Sequence, residues 1–166
     1  MGYDMYIENT PEGEAAPDGD TSYFRLNIWG MSRYREIMHQ LGMVAVDYQQ
    51  PNFPELPDGI DWEDVSAVRY PEGQQPVKPE AVTFAKTIDE HLAWHPDPPF
   101  GIALHKFGSN DGWLVTPQEI AAALEAYRTH SGDEVKVIVG AEGLDYWLKW
   151  IAYLERAQHR GGFRVH

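Results

Sequence analysis

Two histidines spaced four residues apart are the first side chains of this sequence whose types and spacing suggest chemistry. His91 and His95 fall on a predicted helix and at its end, so they share one face and could both reach one metal ion. Asp97 or His105 would have to complete the site, and no His-Glu-x-x-His motif supplies a general base. Because the spacing fixes no third ligand, we expect two residues at the boundary of a core and predict neither a bound metal nor a cofactor.

A strand that enters a helix through a glycine-containing turn, at positions 29–33, is the second candidate. A helix N-terminus presents unpaired N–H groups to an anion. Arg25, Asn27, Ser32 and Arg33 are therefore candidate ligand-binding residues for a phosphorylated or nucleotide-like molecule. One glycine stands where a phosphate loop has several, and no Gly-Lys-Ser/Thr follows. The alternative is that Ser32 caps its own helix and the arginines lie in solvent or pair with acids.

The helix predicted over about Leu144–His159 is apolar on nearly all sides. Such a helix is either central to the fold or half of an interface. Burial is the commoner outcome, whereas an exposed stripe of Tyr and Trp would be an interaction hot spot. The candidate partner-binding residues on this helix are Tyr146, Trp150 and Tyr153.

Composition narrows the classes of function that this chain can have. The 166 residues contain no cysteine, which excludes disulfides, thiolate zinc sites and a cysteine nucleophile. Twenty-six acidic residues against thirteen basic ones give a net charge of −13, which argues against binding to nucleic acid through bulk phosphate attraction. No Gly-x-Ser-x-Gly elbow is present, so the sequence carries no catalytic signature and favours a protein that is not an enzyme.

Targeting signals are the next feature that the sequence lets us assess. The segment that begins the sequence has neither a basic region nor an apolar core, unlike a secretory signal. No eighteen apolar residues run together, and Gly2 is not followed by Ser or Thr at position 6. We therefore expect a cytoplasmic protein that does not enter a membrane.

The N-terminal third alternates between apolar and polar residues in two places. Gly2–Glu8 and Ser22–Trp29 are predicted strands, which could pair as an open hairpin across a loop at 9–21. A helix should follow, with Ser32 as its N-cap and Gly42 at its C-terminal end.

The middle of the chain is rich in proline and poor in basic residues. Nine of the twelve prolines fall between positions 51 and 99, and no Lys or Arg occurs from 36 to 68. This composition predicts an irregular excursion at about 43–78 within a single domain of residues 1–166. The helices predicted in this region are Asp61–Val68, which is short, and Pro79–Trp94.

The final third has the clearest turn and cap signals. Thr116-Pro117-Gln118-Glu119 is a capping box with proline at the first helical position. The strands predicted here are Ile102–Phe107 and Trp113–Val115, joined as a hairpin, Val135–Val139, and an edge strand at Phe163–His166. Together the segments predict an α+β fold, in which a mixed or antiparallel sheet of about four to six strands carries three or four helices mainly on one face. An α/β layered fold is the alternative, if Val135–Val139 pairs in parallel.

Three stretches carry a resemblance to known sequences: YFRLNIWGMSRYREIM (23–38), KFGSNDGWLVTPQEI (106–120) and HRGGFRVH (159–166). They resemble a family of small actinobacterial and actinophage proteins, over most of the chain outside its proline-rich middle. The resemblance implies an accessory protein of bacterial or phage origin and brings no activity or cofactor with it.

Charge and aromatic content favour a non-enzymatic acidic protein that binds a protein partner, of the immunity or anti-defence type. Six Trp, nine Tyr and six Phe could supply contact area, and an acidic surface steers toward basic partners. A homo-oligomer is compatible with the same features. The alternative function is a small enzyme or ligand-binding protein that uses the segment from Arg25 to Arg33.

Overall fold

The computed structural model describes residues 2–10, 22–71 and 76–166. Positions 11–21 of the predicted loop and 72–75 of the predicted excursion lie outside the described residues. In chain order the elements are β1 (Gly2–Ile7), β2 (Tyr23–Asn27), α1 (Ile28–Gln40), β3 (Val44–Ala45), α2 (Trp62–Arg69), α3 (Pro79–Ala93), β4 (Ile102–Ala103), β5 (Trp113–Val115), α4 (Pro117–Arg128), α5 (Gly132–Val139), α6 (Leu144–Gln158) and β6 (Phe163–Val165), with 3₁₀ turns at Leu104–Phe107 and Ala141–Gly143.

The chain forms two compact units. The first consists of Met1–Tyr48 and His95–His166 and contains both sheets with α1, α4, α5 and α6. The second consists of Gln49–Trp94 and contains α2 and α3. The single domain over residues 1–166 stays a prediction. None of the helices in the described residues combines the length and apolar character that a bilayer-crossing segment needs.

The main sheet of the first unit is antiparallel, with strand order β2-β1-β6-β5. The register places Met5 opposite Phe24 on one side and Val165 on the other. These three side chains are buried, whereas Arg25 on the opposite sheet face is exposed and Arg164 is half-buried. The fold is therefore α+β, as predicted, with helices covering one face of a four-stranded sheet.

The first unit has an aromatic core centred on α6. Trp147, Trp150 and Tyr153 are completely buried, together with Phe107 and with Phe163 of β6. The Trp150 ring is stacked on Tyr153 with the centroids 5.7 Å apart and meets Phe163 edge-to-face at 5.8 Å, the two arrangements that aromatic quadrupoles favour. This helix is thus central to the fold, which is one of the two outcomes that its apolar surface predicted.

The predicted hairpin of Ile102–Phe107 with Trp113–Val115 is wrong. Only Ile102–Ala103 is extended, and it pairs in parallel with Val44–Ala45. Gly101 permits this pairing, because it has φ +137° and a Cβ there would lie 2.7 Å from the Met43 carbonyl oxygen. The β5 strand pairs instead with β6, so the edge strand predicted at Phe163–His166 is an inner strand of the sheet.

The predicted strand at Val135–Val139 is also wrong, since these residues belong to α5. Ser131 accepts a hydrogen bond from the N–H of Glu134, and the Glu134 carboxylate accepts one from Ser131, which starts a helix with a capping box. Val135 and Val139 are then buried one turn apart, and Val137 is 83% exposed. The described residues contain six α-helices, more than the three or four that were expected on the sheet, and α5 is the one that no predicted helix covers.

Candidate functional site

The predicted turn between the second strand and the first long helix is itself helical. Asn27 is the N-cap of α1, and its Oδ1 accepts a hydrogen bond from the N–H of Gly30 at 2.6 Å. Ser32 therefore lies inside the helix, and the prediction that it is the N-cap is wrong. Because Asn27 occupies a terminal N–H group, this end of the helix has less to offer an anion than the sequence suggested.

The four predicted ligand-binding residues also point to different neighbours. Arg25 lies with its Nε 3.7 Å from Oδ1 of Asp4, and Arg33 donates from Nη2 to the Val139 carbonyl at 2.7 Å. Ser32 and Arg33 line an open depression of about 450 Å³, which Arg25 and Asn27 do not line. The other lining residues are Trp29, Glu36, Ile37, Gln40 and Ile138.

The predicted partner-binding stripe is wrong for two of its three residues. Trp150 and Tyr153 are completely buried in the core, where they cannot meet a partner. Tyr146 is half exposed, but its ring packs 5.0 Å from Phe24 and its hydroxyl donates to the Arg25 carbonyl. The aromatic side chains of α6 serve the fold because this helix lies against the sheet.

The two candidate metal ligands have separate surroundings. His91 is buried with its ring 5.1 Å from Phe53, and burial lowers the pKa of the imidazole. His95 donates from Nδ1 to the Pro96 carbonyl at 2.7 Å. Across the described ranges, no three His, Asp or Glu side chains form a group that could hold a metal ion.

His105, the third histidine considered for that site, belongs to a polar contact in the first unit. Its Nδ1 lies 2.7 Å from the Tyr48 hydroxyl, which also accepts the His105 backbone N–H at 3.0 Å. The imidazole packs edge-on against Trp113 with ring centroids 4.6 Å apart. Burial raises the pKa of Tyr48, so the phenol remains protonated at neutral pH. The contact joins the segment after β3 to β4 and β5.

A buried ion pair is the feature of the first unit that the sequence did not reveal. Lys106 donates from Nζ to Glu119 Oε2 at 2.7 Å and to the Leu114 carbonyl at 2.6 Å, and both charged side chains are completely buried. Glu119 also accepts hydrogen bonds from the N–H of Ala103 and from the N–H and hydroxyl of Thr116. The pair therefore connects β4, β5 and α4. Because neither side chain is exposed, we assign the pair a role in stabilising the fold.

The second unit carries an exposed pair of aromatic rings. Phe53 and Trp62 are 49% and 52% exposed, with ring centroids 6.3 Å apart. Each ring packs on a buried side chain of α3. Phe53 packs on His91, and Trp62 packs on Phe84 with ring centroids 6.0 Å apart. The rings are thus held in place while about half of each faces solvent.

Acidic residues are close to this pair along the chain. Glu55 lies two positions after Phe53, Glu63 directly follows Trp62, and both are exposed. We call Phe53, Trp62, Glu55 and Glu63 the acidic aromatic surface. Residues 49–94 contain nine acidic and three basic residues. Arg69 and Lys78, two of those bases, form ion pairs within the unit, with Asp89 and Asp64 respectively.

The sequence carries a signal for this surface. The stretch from 36 to 68 has no basic residue, and it contains both Phe53 and Trp62. The structure leaves about half of each ring exposed.

Comparison of this chain with protein-family models, curated protein sequences and solved structures finds no match.

Proposed function

We propose that this chain is a non-enzymatic binding protein whose acidic aromatic surface takes a basic segment of a protein partner. The observation that carries the proposal is the supported, half-exposed pair Phe53 and Trp62 in a unit where acidic residues outnumber basic ones three to one. The resemblance to actinobacterial and actinophage proteins supports an accessory role of the immunity or anti-defence type. A cytoplasmic location is part of the same proposal.

The chemistry of the surface determines the kind of partner. A Lys or Arg side chain over the face of Trp62 or Phe53 gains cation–π attraction, worth about 0.5–1 kcal/mol at exposed sites and about 2 when desolvated. Glu55 and Glu63 can pair with further cations of the same segment. Rings that are already fixed by packing lose little side-chain entropy on binding, which favours affinity. An anionic partner would meet repulsion from the same carboxylates.

Selection from a random peptide library displayed on phage tests the proposal without knowledge of the partner. The natural chain should enrich peptides rich in Arg and Lys, and a double variant with Phe53→Ala and Trp62→Ala should lose that enrichment. A synthetic peptide of the enriched sequence should bind the double variant at least about tenfold more weakly, which corresponds to 1.4 kcal/mol. Calorimetry at two salt concentrations measures the dissociation constants of the peptide for the natural chain and for the double variant.

Trp29→Ala is the matched control, because Trp29 is an 83% exposed aromatic residue that belongs to the first unit and not to the acidic aromatic surface. This control should bind the selected peptide as the natural chain does. Enrichment of acidic or purely apolar peptides would refute a basic partner. Equal loss of binding in the control and the double variant would refute the assignment to the acidic aromatic surface.

A further inference from the structure

The exposed side of α1 carries the most exposed aromatic side chain among the described residues. Trp29 is 83% exposed and lies in the first turn of the helix. It lines the open depression of about 450 Å³, which continues along the helix past Arg33 and Glu36 to Gln40. At 1.5 Å per residue, the distance from Trp29 to Gln40 is about 16 Å, or three turns. We call Trp29, Arg33, Glu36 and Gln40 the α1 stripe.

One end of the α1 stripe is apolar. Ile138 of α5, which is half-buried, lines the same depression as Trp29. Ile28, directly before Trp29, is 46% exposed, and Val137, directly before Ile138, is 83% exposed. Apolar atoms of two helices therefore face solvent near this end, whereas a singly scattered apolar side chain would need no explanation.

The charges of the α1 stripe are available to another molecule. Arg33 donates to the Val139 carbonyl, which is neutral, and forms no ion pair with any described residue. Glu36 accepts a hydrogen bond from the Gln40 amide at 2.8 Å and also forms no ion pair within the described ranges. Arg35, which is half-buried, lines a neighbouring depression with Glu36 and adds a cation beside the stripe. A molecule that approaches α1 thus meets an exposed cation and an exposed anion in a fixed order.

We infer that the α1 stripe binds the α1 stripe of a second copy of this chain, with the two helices antiparallel. Positions 33 and 36 have the same midpoint along the helix as positions 29 and 40, so one twofold axis serves both pairs. Around that axis each Arg33 lies opposite the Glu36 of the other copy, and each Trp29 covers the Gln40 end of the other depression. Every contact of such an interface occurs twice.

The residue types make this stripe complementary to itself. Any exposed helix face has the same symmetric spacing, but here opposite charges occupy the positions that meet. A purely acidic or purely basic partner would place one like charge against the stripe, which is unfavourable. The contact does not depend on the proposed function, because the acidic aromatic surface belongs to the second unit.

Sedimentation velocity tests the inference at about 0.15 M salt, where a Debye length of about 8 Å screens the repulsion between two chains of net charge −13. The natural chain should form a dimer with a dissociation constant of about 100 µM or lower. Trp29→Ala should weaken the dimer at least about tenfold. Tyr70→Ala removes a 74% exposed ring from the second unit and should leave the dissociation constant within about twofold. A natural chain that is monomeric at about 500 µM, or a dimer that Trp29→Ala leaves unchanged, would overturn the inference.

Exchange of the charges tests the antiparallel arrangement. Glu36→Arg places arginines opposite each other and Arg33→Glu places glutamates opposite each other, so each variant alone should dimerise at least about tenfold more weakly. An equimolar mixture of the two variants brings opposite charges together in both pairs. It should form a heterodimer with a dissociation constant within about threefold of that of the natural dimer. A mixture that associates no better than either variant alone would overturn the antiparallel contact.

The effect of Glu36→Arg is separable from that of the total charge. The substitution removes a negative charge and adds a positive one, which changes the net charge from −13 to −11 and by itself favours association. Glu90→Arg, at an exposed position of α3, makes the same change and is the matched control, expected to dimerise at least as tightly as the natural chain. Equal weakening in Glu36→Arg and Glu90→Arg would overturn the site. This comparison also decides the inference if Arg33→Glu fails to fold after the Val139 carbonyl loses its donor.

Discussion

Replacing Lys106 with methionine keeps much of the volume of the side chain and removes its charge. The Glu119 carboxylate would stay completely buried, with hydrogen bonds from Ala103 and Thr116 but without its cation. The Leu114 carbonyl would lose its lysine donor as well. Removing one partner of a buried pair costs about 3–5 kcal/mol, since it leaves a charge with no compensation.

This loss is large against the total stability of a chain of this size, about 5–15 kcal/mol. At about 2–4 °C for each kcal/mol, the melting temperature of Lys106→Met should fall by about 6–20 °C. Thermal and urea unfolding followed by circular dichroism measure the change. Lys149→Met, at an exposed position of α6, is the control and should melt within about 2 °C of the natural chain.

A second substitution separates the charge from the packing. Adding Glu119→Gln to Lys106→Met removes the unpaired charge, while the amide oxygen of Gln can still accept a backbone N–H. The double variant should therefore be more stable than Lys106→Met alone by at least about 1 kcal/mol. A Lys106→Met variant that loses less than about 1 kcal/mol, or a double variant whose losses simply add, would refute the reasoning.

Two further predictions concern helix starts in the two units. Asn27→Ala should destabilise the chain by about 0.5–2 kcal/mol, because it removes the cap of α1. Ser32→Ala should change the free energy of unfolding by less than about 0.5 kcal/mol. Urea unfolding measures both values, and the reverse order would show that Ser32 is the cap. The Lys78 hydrogen bond lowers the pKa of Asp64 below its ordinary 3.8 in the folded state, so its contribution is present above that pH and lost as the pH falls below it. Asp64→Asn should therefore lose less stability than the natural chain between pH 5 and pH 2.5, and parallel pH profiles of the two melting temperatures would contradict this.

Helices with explicit start signals could be predicted from the sequence. The capping box of Thr116 and Glu119 is present in the structure as hydrogen bonds in both directions, and α4 begins at Pro117 as expected. Proline at the first position of α3 likewise starts that helix. The alternation of apolar and polar residues predicted the strands β1 and β2, which pair antiparallel in the structure. The alternation is a usable signal here because one face of each strand is buried.

The α5 helix shows how two local signals competed. Four of its residues between 135 and 139 are Val or Ile, which favour strands, and their alternation favoured the same conclusion. Ser131 and Glu134 form a capping box directly before them, and the helix buries Val135 and Val139 on one side. Burial on one helix face outweighed intrinsic propensity, which spans only about 1 kcal/mol.

The candidate sites depended on contacts that spacing does not determine. Lys106 and Glu119 are thirteen residues apart in the sequence. Lys106 lies in the 3₁₀ turn at Leu104–Phe107 and Glu119 lies in α4, so the tertiary fold brings them together. Phe53 and Trp62 each pack on a buried residue of α3, His91 and Phe84, and about half of each ring stays exposed, which their positions in an acid-rich stretch do not determine. The sequence therefore located the charged and aromatic segments, and the tertiary fold decided which of them reach the surface.

The position of β6 between β1 and β5 has a consequence for synthesis of the chain on the ribosome. β1 pairs with β6 at Ile7 and Phe163, so this edge of β1 has no partner until more than 150 further residues have been added. At about 5–20 residues per second, that interval is about 8–30 s. During it β1 and β2 form at most a two-stranded ribbon whose open edge can pair with another chain. Nascent copies that emerge side by side on one messenger RNA are therefore exposed to strand exchange until β6 arrives.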